Sequence, residues 1–128
     1  MARLTIRIDF DGSESFGPGK VRLLELIESH GSIRSAAAAM NMSYRHAWLL
    51  LQAVEDTFGA PVISTATGGA KGGGAKLTEF GRTLVARYRM IESQAAKATA
   101  SELSELLRGT IGGMPEERGG RRRDRAQR

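Results

Sequence analysis

Residues 31–48 read GSIRSAAAAMNMSYRHAW, and their pattern decides what the rest of the chain must build. Ser32 is placed to cap a short helix whose inner face carries Ile33, Ala36, Ala37 and Met40, the i, i+3, i+4, i+7 positions. The four alanines Ala36–Ala39 keep that face small, so a second helix can approach the backbone closely. Asn41 tolerates the left-handed geometry of a tight turn, Met42 supplies an apolar plug, and Ser43 caps the next helix. That helix spans about Tyr44 to Phe58, with Ala47, Leu51, Val54 and Phe58 on its buried side. Tyr44, Arg45, His46, Trp48 and Gln52 are left on the exposed arc, a set rich in donors with one fixed positive charge. This is the pattern of a helix-turn-helix, in which the first residues of the second helix meet base edges in the major groove. A plain helical hairpin in a small core has the same periodicity.

At 128 residues the chain is the size of one domain with a tail. Its formal net charge is +5, which favours an anionic partner. Residues 1–108 carry net +2 and residues 109–128 net +3; between Arg34 and Lys97 eight basic residues face four acidic ones. The middle of the chain is therefore basic in its own right. There is no cysteine, which excludes disulfides, thiolate metal sites and cysteine nucleophiles. His30 and His46 lack the spacing of a zinc site, so neither metal nor cofactor is expected, and no paired acid or nucleophile suggests an enzyme. His30 is expected to satisfy carbonyls at the end of the first helix. No leader and no run of 18 apolar residues is present, so a cytoplasmic, nucleoid-associated protein without a membrane is expected.

Upstream, Leu4, Ile6, Ile8 and Phe10 alternate with Thr5, Arg7 and Asp9, which predicts a half-buried strand. Breakers at Asp11–Ser13 and Phe16–Gly19 precede a helix over Lys20–His30, with Glu25 and Glu28 expected to point outward. Downstream, Pro61–Thr65 and Ala75–Leu77 suit a β-hairpin around Gly68, Gly69, Gly72, Gly73 and Gly74. Glycine amides can approach phosphate oxygens, and Lys71 and Lys76 add point charges, as a wing on a DNA backbone requires; a flexible linker needs the same glycines. The stretch is not a phosphate-binding loop, because Ala75 stands between Gly74 and Lys76, and Leu77 follows.

Thr78 is placed to cap a last helix over about Glu79–Leu107. Phe80, Leu84, Tyr88, Ile91, Ala95 and Ala98 recur near a 3.5-residue period, more length than a small core can cover. A second copy packing on Leu84, Tyr88, Ile91 and Ala95 is expected; the alternative is a helix folded onto its own domain. Trp48 is expected to pack against the wing or the long helix. From Gly109 the composition turns to Gly, Glu and Arg, expected to be a disordered tail of residues 109–128 behind a DNA-binding domain of residues 1–108.

The combination of residues 31–48 with ATGGAKGGGAKLTEFGRTLVARY, residues 66–88, resembles the N-terminal DNA-binding domain of ModE-type molybdate-responsive transcription regulators. Ser43-Tyr44 with Ala47-Trp48, together with Ala66-Thr67-Gly68-Gly69 and Gly72-Gly73-Gly74, carry the likeness, which spans roughly residues 17–92. The related LysR-type regulators share the winged-helix start without this glycine cluster. The resemblance implies a mainly α fold with a small β wing: a winged helix-turn-helix that dimerises through its long C-terminal helix and reads a palindromic operator. From the exposed arc and the wing chemistry, Ser43, Tyr44, Arg45, His46 and Gln52 are expected in the major groove, and Thr67, Gly68, Gly69, Lys71, Gly72, Gly73, Gly74 and Lys76 on phosphates of double-stranded DNA. In that family molybdate binds in a separate C-terminal portion, and no oxyanion site is carried over. The rival reading is a helical interaction module that forms mixed dimers with a full-length regulator.

Overall fold

The computed structural model describes residues 2–66 and 74–109, which form four helices and a two-stranded hairpin in the order α1, α2, α3, β1, β2, α4. Pro18 opens α1 (Pro18–His30), its fixed φ suiting a first helical turn, so the helix begins two residues before the sequence reading placed it. Gly31 ends it in left-handed geometry at φ 81°, its N–H donating to the Ile27 carbonyl. Ser32 Oγ accepts from the Ser35 amide at the start of α2 (Ile33–Ala39), and Ser43 Oγ accepts from the His46 amide at the start of α3 (Tyr44–Phe58). Between them Asn41 takes φ 56°, and the Met42 amide donates to Ala37 O, closing the turn as its sequence required.

These helices enclose one core. Val21, Leu23, Leu24 and Ile27 from α1, Ala36 from α2, and Ala47, Leu51 and Val54 from α3 are all buried. The alanine face lets α3 sit close, and each fully buried Leu or Ile contributes about 1.5–3 kcal/mol. Phe16 lies inside this core, edge-on to Phe58 and Tyr88, with ring centroids 5.2 and 5.6 Å away.

The expected strand over Leu4–Phe10 does not form. A single antiparallel bridge joins Ile8 to Phe16 through two 2.8 Å backbone hydrogen bonds. The alternation is real as burial, since Ile6 and Ile8 are half-buried between exposed neighbours, but no continuous partner strand runs beside it. The Tyr88 hydroxyl occupies the Ile6 carbonyl instead. Burial also pushes the Tyr88 phenol above its ordinary pKa.

β1 (Ile63–Ala66) pairs antiparallel with β2 (Gly74–Leu77), in a register running from Ile63↔Leu77 to Ala66↔Gly74. Pro61 and Val62 fall outside the strand that was expected to include them. Val62 is fully buried; its N–H donates to the Glu55 carboxylate, and its carbonyl accepts from the Thr78 amide. Thr78 Oγ1 in turn accepts from the Gly81 amide, capping α4 (Glu79–Arg108).

Glu25 and Glu28 do not point idly outward. Glu25 is paired in fork geometry with Arg89 of α4, at 2.9 and 2.7 Å, which holds its carboxyl below the ordinary range. Glu28 accepts from the Leu77 amide at 2.8 Å and so ties β2 to α1.

The chain divides into two compact units, one of residues 5–93 and one combining residues 1–4 with residue 94 onward. The first holds the helix-turn-helix and the hairpin. In the second, α4 continues through Arg108, with Ala95, Thr99 and Leu103 half-buried and Leu107 40% exposed. The tail expected over residues 109–128 lies, apart from Gly109, outside the described residues. No helix among the described residues is long and apolar enough to cross a membrane.

Candidate nucleic-acid interface

The surface that α3 presents is set by its own periodicity. With Ala47, Leu51 and Val54 turned inward, Tyr44, Arg45, His46, Trp48, Leu49 and Gln52 are all exposed. The N-terminal turn of a helix carries unsatisfied amide donors and partial positive charge, which suits it to approach a phosphate-lined groove. Local charge agrees with this. From Ser29 to Val54 the chain contains no Asp or Glu, while Arg34 and Arg45 fall within the same stretch.

Individual groups on this arc differ in how free they are. The Ser43 oxygen is occupied as a helix cap, leaving its proton as the group available to a phosphate. Gln52 Nε2 donates to Asp56 Oδ1 at 3.1 Å, so one of its donors is already used one turn further along the helix. Arg45 and His46 are exposed at the start of α3, where a long donor-bearing side chain reaches furthest into a groove. Trp48, expected to pack against the wing or the long helix, has its ring contact among the described residues with Tyr44. It is 39% exposed and lies edge-on to Tyr44, with centroids 6.2 Å apart. Because Trp48 follows Tyr44 by one helical turn on the outer arc, the two rings find one another rather than the core.

The hairpin meets the helices at its base. Ala75 and Leu77 alternate inward and are buried, whereas Lys76 is exposed between them, so its charge is directed to solvent. The Ala75 amide donates to the Gly31 carbonyl at 2.8 Å, which fixes β2 beside the α1–α2 turn. Gly74 stands close to the same carbonyl, where a Cβ would lie 3.3 Å from it. The other residues assigned to the wing, Thr67, Gly68, Gly69, Lys71, Gly72 and Gly73, lie outside the described residues.

The four residues expected on a dimer face are not equivalent. Tyr88 is 1% exposed and belongs to the domain's own core, so it has no surface to offer a partner. A 3.5-residue period shows that one helix face is apolar but not what covers it. Leu84 is half-buried against the same core, Ala95 is half-buried, and Ile91 is 42% exposed. Met90, which the periodicity omitted, is 54% exposed next to Ile91.

One member of the α3 surface came from outside its sequence pattern. The Arg34 guanidinium of α2 lies over the Tyr44 ring, 4.4 Å from its centroid. Ten residues separate the two, and no helical period links them.

Residues 19–82 match the family model described as bacterial regulatory helix-turn-helix protein, lysR family. The chain is 36% identical over 113 residues to the molybdenum transport protein ModE of Azotobacter vinelandii, covering 88% of this chain and 41% of that protein. It is 41% identical over 100 residues to the molybdenum-pterin-binding protein MopB of Rhodobacter capsulatus, covering 73% of this chain and 37% of the relative. To the DNA-binding transcriptional dual regulator ModE of Escherichia coli strain K12 it is 33% identical over 81 residues, or 63% of this chain and 31% of that protein. The chain thus spans less than half the length of these relatives.

Proposed function

The chain belongs to the lysR family of bacterial regulatory helix-turn-helix proteins, and from that premise we propose that it is a sequence-specific, DNA-binding transcription regulator of the ModE type. The observation that carries this reading is the exposed, acid-free N-terminal arc of α3, with Arg45 at its start and its inner face locked into the core. Arg45 supplies a donor fork for base edges, Tyr44 and His46 flank it, and Ser43 anchors to a phosphate. Lys76, with Lys71 and the wing glycines, holds phosphates outside the groove. The protein acts in the cytoplasm, on chromosomal DNA, and catalyses no reaction. No molybdate site is assigned to these residues.

The operator is palindromic and the regulator a homodimer joined through α4. Support comes from the exposed Met90 and Ile91 on a 30-residue helix, roughly 45 Å long at 1.5 Å per residue. Two reading helices related by a twofold axis require half-sites about 34–36 Å apart. A mixed dimer with a longer relative would use the same helix, and co-purification from cells at native abundance separates the two.

Single substitutions test the division of labour. Arg45→Ala is expected to weaken binding to the preferred duplex by about 1–3 kcal/mol while leaving bulk-DNA affinity nearly unchanged, as loss of a bidentate base contact does. Lys76→Ala and Lys71→Ala are expected to weaken all duplexes alike and to lower the slope of log affinity against log salt by about one charge's worth. A Lys71→Ala protein that lost only the preferred duplex would reverse the wing assignment.

A further inference from the structure

The stack formed by Arg34, Tyr44 and Trp48 does no work that capping, core packing or ion pairing explains. Tyr44 and Trp48 stand one turn apart on α3, 40% and 39% exposed, and Leu49 beside them is 55% exposed. Large apolar bodies left in water forgo the stabilisation that burial would give them. Here three of them are grouped on the arc that carries Arg45 and His46, so the surface offers an apolar patch within a donor-rich, acid-free field.

The patch is ordered. The Arg34 guanidinium covers one face of the Tyr44 ring, and Trp48 meets the same ring at 84° between ring planes. Among the described residues no carboxylate pairs with Arg34, so the ring itself is what orients the guanidinium. A tyrosine clamped in this way loses little side-chain freedom when a ligand arrives. On the base edges of a duplex, the major groove displays one apolar group, the C5-methyl of thymine.

We propose that Arg34, Tyr44 and Trp48 form a preorganised ledge that recognises a thymine C5-methyl group in the operator, with Arg34 as the positioning residue. The proposal rests on the DNA-binding reading above and adds to it a base, a chemical group and a residue of α2.

The test begins with duplexes that the full chain selects from a random pool. Each thymine is then replaced singly by deoxyuridine, which removes only the methyl group. Wild type is expected to lose about four-fold in affinity at one thymine or more, the contribution of roughly one buried methyl-sized group. In Arg34→Gln that discrimination is expected to fall to about one-fold, with the fold intact by circular dichroism because Arg34 is an exposed side chain. Trp48 is the sole tryptophan, so its emission reports the ledge directly and should shift to longer wavelength in Arg34→Gln. Arg34→Lys, which keeps a cation over the ring, should restore part of both signals. Equal binding of every deoxyuridine duplex by wild type overturns the ledge, as does unchanged discrimination in Arg34→Gln. If the chain selects no duplex at all, the DNA-binding reading itself fails, and that result is distinct from either of these.

Discussion

Gly81→Ala is expected to destabilise the domain by up to about 2 kcal/mol, even though alanine is the better helix former. The sign is decided by two opposing terms. Replacing a helical glycine by alanine gains at most about 1 kcal/mol of intrinsic propensity, and Gly81 stands in the first turn of α4. Against this, a Cβ at position 81 would stand 2.5 Å from the Val62 carbonyl oxygen and 3.3 Å from Leu77 Cβ. The Val62 carbonyl cannot step aside, because it accepts the Thr78 amide while the Val62 amide is held by Glu55. Overpacking against fixed backbone costs about 1–3 kcal/mol and occasionally more. Thermal unfolding followed by circular dichroism should show a midpoint lower by about 4–8 °C for each kcal/mol lost. An unchanged or raised midpoint would mean that α4 does not approach the strand entrance so closely.

Phe16→Ala is expected to cost more, about 3–5 kcal/mol, the range for a buried Phe reduced to Ala. Phe16 is 2% exposed and contacts both Phe58 at the end of α3 and Tyr88 of α4, while its backbone holds Ile8. Removing the ring opens a cavity where three elements meet and withdraws two edge-to-face contacts. Phe16→Leu should recover most of the loss. Urea unfolding measures both; a Phe16→Ala protein within about 1 kcal/mol of wild type would show that the site can collapse around the missing ring.

The helix-turn-helix was legible because its signals are local. Ser32 and Ser43 cap, Gly31 and Gly59 stop, Asn41 turns, and the alanine run fixes how near α3 may come. Each of those features acts within about four residues of its position. The errors lie where the sequence specifies a face but not its partner. Leu4–Phe10 alternates as a strand does, yet only Ile8 finds a bridge, because the segment's burial comes from the helices and not from a sheet. Tyr88 lies on the apolar side of α4, and nothing in its spacing distinguishes a second copy from Phe16. Arg34 and Tyr44 meet across a turn, so their contact appears only once α2 and α3 are packed.

The most direct test of sequence-specific recognition by α3 is a fluorescence anisotropy titration of the full chain. A duplex selected from a random pool is compared with its scrambled counterpart at several salt concentrations, with Arg45→Ala alongside. The account predicts the selected duplex bound at least about 10³-fold more tightly than the scrambled one, with log affinity falling linearly in log salt, and that preference reduced about 5- to 150-fold in Arg45→Ala. Equal affinity for both duplexes, or a preference that survives Arg45→Ala intact, would contradict it.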